Sequence, residues 1–182
     1  MFIAQKLKQT NIAEYLIYMW QIEDIIRAAG CDIDKLKSSF ISQYQIDEEE
    51  KVKLTQWYDD LIGMMRVEGV IEKGHLQINK NVIISLTDLH LQLLRSPKEP
   101  FYGAAYYKAL PFIVELRNKN KNTEESEIET CFEALYGVML LKLQKKEITP
   151  ETSKAIETIS KFLSLLSNYY EKDRNGDLKL DD

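Results

Sequence analysis

The segment at residues 122–146 constrains the fold of this chain more than any other. Its apolar residues recur at steps of three and four, which is the period of one face of an α-helix. That face consists of Ile128, Cys131, Phe132, Leu135, Met139 and Leu143. Further apolar residues widen the face in the second half of the segment: Tyr136, Val138, Leu140 and Leu141. A helix that is apolar on nearly every side has to be covered by several neighbours. We therefore predict a central buried helix over about residues 123–146.

The ends of this segment carry the charges that favour a helix. Asn122 or Thr123 can cap it, because their side-chain oxygens accept hydrogen bonds from first-turn amides. Glutamates follow the cap and lysines close the segment, which complements the helix dipole. Gly137 lies in the apolar half, where a glycine costs about 1 kcal/mol relative to alanine. We expect another helix or a ring to approach closely over Gly137. The plainer alternative is that the helix simply tolerates this glycine.

Most of the remaining chain shows the same period. Further helices are predicted over residues 12–29, about 33–41, 48–69, from the Gly74–His75 turn to Ser96, 101–119 and 150–170. The predicted caps are Asn11, Asp32 or Asp34, Asp47 and Thr149, and Gly30 and Gly69 suit helix ends. The inward face of the helix at 48–69 is predicted as Leu54, Trp57, Leu61, Met64 and Met65, and that of the last helix as Ile156, Ile159, Phe162, Leu163, Leu166 and Tyr169. Residues 1–9 are expected to add only a loose turn.

Pro111 lies inside the predicted helix at 101–119. A proline there lacks a backbone donor and clashes with the carbonyl four residues earlier, which belongs to Tyr107. We expect a kink at Pro111, or two short helices that meet there.

These patterns predict an all-α fold, a single-domain bundle of six to seven helices. A chain of 182 residues is long enough to bury about 70% of its unfolded surface in one domain. We place that domain at residues 1–172, and we expect residues 173–182 to form a polar, frayed C-terminal tail.

Composition limits the partners and the compartment. The formal net charge of −5 argues against a general nucleic-acid binder, which needs a basic face. Cys31 and Cys131 form no C-x-x-C pair, which indicates a reducing compartment. The N-terminal segment MFIAQKLKQTN does not resemble a signal peptide. The longest apolar run, residues 15–20, is far shorter than the ~20 residues of a membrane span. We expect a cytoplasmic protein that binds neither nucleic acid nor membrane.

Several short motifs are poor candidates for chemistry. Glu72 and His75 have the Glu-x-x-His spacing of helical metal sites, but Gly74 disfavours a helix and no second motif follows; we interpret this segment as a solvated turn. The tail DRNGDLKLDD lacks the glycine position and the bidentate glutamate of a calcium loop. Cys131 and His90 could form a nucleophile and a base, but a cysteine on an inward face usually acts as a small apolar residue. We expect no metal and no cofactor.

One polar and aromatic group near Pro111 is a candidate ligand site. Tyrosines supply flat walls with hydroxyl groups, and a gap at a kinked helix can hold a small ligand. The candidate ligand-binding residues are His90, Tyr102, Tyr106, Tyr107, Glu115 and Arg117, with Arg95 nearby. The alternative is an ordinary core margin, in which Glu115 pairs with Lys119 one turn further on.

Three stretches carry a resemblance to a known family: NIAEYLIYMWQIEDIIR, LHLQLLRSPKEPFYGAAYYKALPFIVELR and IETCFEALYGVMLLKLQKKEIT. Together they resemble an uncharacterised bacterial family of helical, cytoplasmic proteins, filed as a domain of unknown function of the 4924 type. The resemblance covers most of the chain. It implies an all-helical fold and supplies no catalytic residues.

Two functions remain open from the sequence. The first is a non-enzymatic cytoplasmic interaction or scaffold protein with an unknown protein partner. Its abundant aromatic residues predict an exposed patch, which a homodimer burying at least ~1,000 Å² would cover. The alternative is a small-molecule-binding protein, or an enzyme, with a pocket at the Pro111 kink.

Overall fold

The structure, a computed structural model, describes residues 1–120 and 125–180. Within these ranges it consists of eight α-helices and one 3-10 helix, with no strand, which confirms the all-α class. The helices are α1 (Phe2–Thr10), α2 (Ile12–Ala28), α3 (Ile33–Ser39), the 3-10 helix (Ile41–Gln43), α4 (Glu48–Val67), α5 (Gln77–Arg95), α6 (Pro100–Asn120), α7 (Glu127–Leu143) and α8 (Pro150–Arg174). Helix α1 replaces the loose turn expected at the N-terminus.

Side-chain caps begin α3, α4 and α8 where the sequence predicts them. The backbone N–H of Glu50 donates to Asp47 at 2.8 Å, and that of Thr152 donates to Thr149 at 3.2 Å. Asp32 accepts from two first-turn amides of α3. Gly30 and Gly69 follow α2 and α4 with φ values of 70° and 69°, which a residue without a Cβ adopts easily.

By its internal contacts the chain divides into two compact units, residues 1–8 with 14–81 and residues 9–13 with 82–182. In the first unit, α3, the 3-10 helix and α4 pack against one another. Phe40 meets the fully buried ring of Tyr58 edge to face, with centroids 6.0 Å apart.

The buried face of α4 differs from the prediction. Its buried residues are Leu54, Tyr58, Leu61, Ile62 and Met65. Trp57 and Met64, which were predicted to face inward, are only half-buried. The face is rotated by about one residue toward Tyr58 and Ile62, and Tyr58 makes the aromatic contact with Phe40.

In the second unit, α6 packs against α7 and α8, and α7 packs against α8. The predicted face of α8 is buried from Ile159 to Tyr169, while Ile156 is half-buried. Helix α8 ends at Arg174, four residues beyond the predicted end, and the Arg174 guanidinium donates to the backbone carbonyl of Gln9 at 2.7 Å.

Helix α7 begins later than predicted and is buried unequally. Asn122 and Thr123, the predicted caps, lie outside the described residues. The observed helix starts at Glu127, where Ser126 accepts from the N–H of Glu129 at 3.1 Å. The residues buried in the first half include Ile128, Cys131 and Phe132. The second half has less cover: Leu135, Met139, Leu140 and Leu141 are half-buried, and Leu143 is 71% exposed. A Cβ on Gly137 would meet nothing within 4 Å, so the expected close approach there is wrong.

Helix α6 is continuous through Pro111. The expectation of two short helices is therefore wrong. Ala109 and Ile113, on either side of the proline, are fully buried, and their packing keeps one helix in place although a backbone hydrogen bond is missing.

Candidate functional site

Three of the six predicted site residues lie together in the second unit. The Tyr102 hydroxyl and Nδ1 of His90 share a hydrogen bond of 2.7 Å. The ring of Tyr106 lies against His90, with centroids 4.9 Å apart. Phe162 and Tyr169 of α8 complete an aromatic cluster. All five side chains are buried.

The polar groups of this cluster are neutral and already paired. Burial lowers the pKa of His90, and the Glu127 carboxylate only partly opposes this. Burial also raises the pKa of Tyr102 and of Tyr106. The Tyr106 hydroxyl donates to Glu127 at 2.8 Å, and the Tyr169 hydroxyl donates to Glu99. A cluster of this kind stabilises the edge of the hydrophobic core, because each buried polar atom named here has a hydrogen-bond partner.

The other three predicted site residues lie outside this cluster. The Tyr107 ring is 5.3 Å from that of Tyr106, but its side chain is 66% exposed. Glu115 forms the expected exposed ion pair with Lys119, at 2.7 Å. Arg117 is half-buried.

A groove of about 240 Å³ lies in the second unit, beside the part of α6 that follows Pro111. It is lined by Phe112, Glu115, Leu116, Lys119, Ala134, Val138, Thr149, Glu151, Thr152, Ala155 and Ile156. Glu115 is the one predicted site residue in this lining. The walls are mainly apolar, and the polar groups come from α6 and from the first turn of α8.

Cys131 has the properties of a core residue. It is fully buried, and burial raises the pKa of its thiol, with a further contribution from Glu127. A nucleophilic cysteine needs the opposite shift. Among the described residues, no group of three or more His, Cys, Asp or Glu side chains is placed to hold a metal ion.

Sequence reasoning missed a buried acidic group in the first unit. The Glu23 side chain is completely buried. Its Oε1 accepts from the N–H of Leu76 at 3.0 Å and from the Asn79 amide at 2.7 Å. Its Oε2 lies 2.6 Å from Nδ1 of His75. A carboxylate with these partners caps the start of α5 and fixes the imidazole ring.

His75 and Arg27 complete the surroundings of Glu23. The His75 ring stacks on Trp20, with centroids 4.0 Å apart and planes inclined by 12°. Arg27 donates to the carbonyls of Val70 and Gly74, in the connection between α4 and α5. The prediction of a solvated turn is therefore wrong for His75, which holds this connection against α2.

The sequence contains a signal for Glu23 that was not used. Glu23 follows Met19 by four residues and Leu16 by seven, so it lies on the apolar face of α2. A charged residue on such a face needs buried partners. The partners themselves could not be read from the sequence, because they lie more than fifty positions further along the chain.

Helix α6 carries an exposed apolar row at coiled-coil spacing. It consists of Ala104, Tyr107, Pro111 and Val114, which we name the α6 stripe; all four are exposed. Tyr107 and Val114 expose 66% and 47% of their surface. The opposite side of α6 contributes the buried residues Tyr102, Tyr106, Ala109 and Ile113.

Comparisons with known proteins give a family and no activity. A family model described as Domain of unknown function (DUF4924) matches residues 1–177. No curated protein and no solved structure gave a match. In the described part of the chain, none of the helices has both the length and the apolar character needed to cross a membrane.

Proposed function

Because the chain belongs to the DUF4924 family, which comes with no assigned activity, we propose a function from its surface: a non-enzymatic cytoplasmic interaction or scaffold protein that associates with itself. The α6 stripe carries this proposal. Its four apolar residues face solvent on one helix, while the opposite side of the same helix is buried. Exposed apolar patches of this kind usually mark protein contacts.

The state of the candidate catalytic groups supports a binding role. His90 and Tyr102 are neutral partners in a buried cluster. The Cys131 thiol has a raised pKa. A catalytic pair needs a base or nucleophile that the substrate can reach, and these three side chains are buried.

Light scattering after size exclusion tests the proposal. We expect a homodimer at micromolar concentration that buries at least ~1,000 Å². The double variant Tyr107→Ser/Val114→Ser should shift the mass toward the monomer. Val67→Ser is a matched control, because Val67 is an exposed apolar residue on α4. A monomeric mass for the unmodified protein across a tenfold dilution series would refute self-association.

The groove beside α6 favours a second function, the binding of a small molecule. Its volume of about 240 Å³ lies a little below the roughly 300–1,000 Å³ of typical ligand sites. A thermal-shift screen of metabolites should then give at least one stabilising compound. Ala155→Leu would reduce the space in the groove and should abolish that shift, whereas Ser160→Leu on the exposed side of α8 should not. A screen without a stabilising compound would count against this second function.

A further inference from the structure

The imidazole of His75 is held in one tautomer and one orientation. Its Nδ1 lies 2.6 Å from Oε2 of Glu23, whose side chain is completely buried. An ionised carboxylate can only accept hydrogen bonds, so Nδ1 carries the proton and donates it. The Trp20 ring stacks on one face of the imidazole, with centroids 4.0 Å apart, and restricts its rotation. In the neutral imidazole, a proton on Nδ1 leaves a lone pair on Nε2.

The second ring nitrogen of His75, Nε2, is available to a partner molecule. Among the described residues, the His75 side chain makes no hydrogen bond other than the one from Nδ1 to Glu23. The side chain is 25% exposed. Nδ1 faces the buried carboxylate and Trp20 covers one ring face, so the exposed quarter belongs to the rest of the ring. Proteins use an imidazole that is oriented by a carboxylate, with its other nitrogen free, as a ligand, a base or a nucleophile.

We propose that His75 accepts a phosphoryl group on Nε2 from a donor that carries this group on nitrogen, with Glu23 as the residue that positions the ring. The Nε2 lone pair forms a bond to phosphorus while the N–P bond of the donor breaks, and the donor nitrogen leaves with that electron pair as an amine. The bond formed is of the same type as the bond broken, so the transfer needs no further reactant. The ring gains a positive charge, which the Glu23 carboxylate offsets through the hydrogen bond from Nδ1.

The surroundings of His75 favour phosphoryl acceptance over metal binding. In the part of the chain that the structure describes, no group of three or more His, Cys, Asp or Glu side chains could hold a metal ion, so His75 would have to bind a metal without a full set of ligands. A phosphoryl acceptor needs only one nucleophilic nitrogen that the donor can reach. The other histidine of the chain, His90, is 3% exposed, and its Nδ1 shares a hydrogen bond with Tyr102. His90 is therefore an internal control for a histidine that no donor can reach.

Reaction with potassium phosphoramidate, a simple donor with an N–P bond, tests the proposal in the full-length protein. Intact-mass spectrometry at neutral pH should show the addition of one phosphoryl group, and phosphorus NMR should place it on Nε2. His75→Gln should remove the product although His90 is still present. The folded protein should react roughly tenfold faster, or more, than a peptide of residues 70–80, in which the same histidine lacks Glu23, because carboxylate partners of functional histidines typically contribute about 10–100-fold.

Substitution of the carboxylate separates positioning of the ring from general stability. Glu23→Gln keeps the size of the side chain but removes its charge, so the rate should fall by roughly tenfold while circular dichroism still shows a helical protein. Glu72→Gln is the matched control and should leave the rate unchanged, because Glu72 is an exposed glutamate three residues before His75. If Glu23→Gln does not fold, the comparison with the peptide decides.

Three results would overturn the proposal: a folded protein that reacts no faster than the peptide, a product on Nδ1 or at His90, or an unchanged rate in folded Glu23→Gln. None of these measurements depends on self-association, so the failure of either proposal leaves the other standing.

Discussion

The carboxylate of Glu23 accepts a hydrogen bond from the backbone N–H of Leu76, 53 residues further along the chain, at 3.0 Å. Helix N-termini leave amides without intrahelical partners, which are usually satisfied by a local cap. At the start of α5, the N–H of Gln77 donates to Glu68 at 2.6 Å, and the N–H of Leu76, the residue before the helix, finds its acceptor on α2. Glu23 thereby joins α2 to the start of α5, and His75 and Asn79 bind the same carboxylate.

Glu23→Ala should reduce the free energy of unfolding by about 3–5 kcal/mol, as expected when one partner of a buried charged network is removed. The Leu76 amide and the Asn79 side chain would lose their acceptor. Urea melts give the value. Glu49→Ala is the matched control, because Glu49 forms an exposed ion pair with Lys53 and such pairs contribute about 1 kcal/mol or less. Similar losses in the two variants would show that the Glu23 network is not a structural cap.

His90 should make the protein less stable in mild acid. Burial lowers the pKa of His90 below its usual value of 6.5, so the unfolded chain binds a proton more readily than the folded chain. This contribution to stability is present above pH 6.5 and is lost as the pH falls from 6.5 through the lower pKa of the folded state. His90→Gln retains a polar partner for Tyr102 but does not titrate. Its free energy of unfolding should vary less than that of the unmodified protein between pH 7.5 and pH 5; equal slopes would contradict the assignment.

Glu133 should make the protein less stable as the pH rises, which is the opposite of the effect of His90. Burial, a hydrogen bond with Glu125 and the charges of Glu125 and Glu129 raise the pKa of Glu133 to about 7. The folded state therefore binds the proton more tightly, and the contribution of Glu133 to stability is lost as the pH rises from 4.5 through about 7. Glu133→Gln imitates the protonated carboxyl group. Thermal melts at pH 5 and pH 8 should show that this variant gains stability over the unmodified protein at pH 8 only, and a gain that is equal at both values would refute the shift.

Alanine substitutions should destabilise the protein most near the start of α7 and least at its end. Phe132→Ala should destabilise by about 3–5 kcal/mol, because a fully buried ring leaves a cavity. Leu143→Ala should change stability by no more than about 0.5 kcal/mol, because the side chain is 71% exposed. Leu135→Ala should fall between them, since Leu135 is half-buried. Urea melts of the three variants decide the order, and a large loss at Leu143 would indicate a partner over the end of α7.

The sequence predicted where the helices of this protein lie better than it predicted which of their side chains are buried. Helix starts depend on local chemistry, so Asp47 and Thr149 could be identified from neighbouring residues alone. His90, Tyr102 and Tyr106 were grouped from their residue types and their closeness to Pro111 in the sequence, and the structure brings these three side chains together. The exposure of Tyr107 and Leu143 could not be derived in this way, because it depends on how much of each helix its neighbours cover.

The hydrogen bond between Glu23 and Leu76 also has a consequence for folding kinetics. A contact across 53 residues closes a long loop, and such contacts form only after the loop-closure entropy has been overcome. The contact of Glu23 with the Leu76 N–H should therefore form late in folding, whereas the acceptor of the Gln77 N–H, Glu68, is only nine residues away. Contacts that are absent from the transition state act on the unfolding rate and hardly on the folding rate. We expect Glu23 to determine how long the native state survives, while the local caps at Asp47 and Thr149 influence how quickly it is reached.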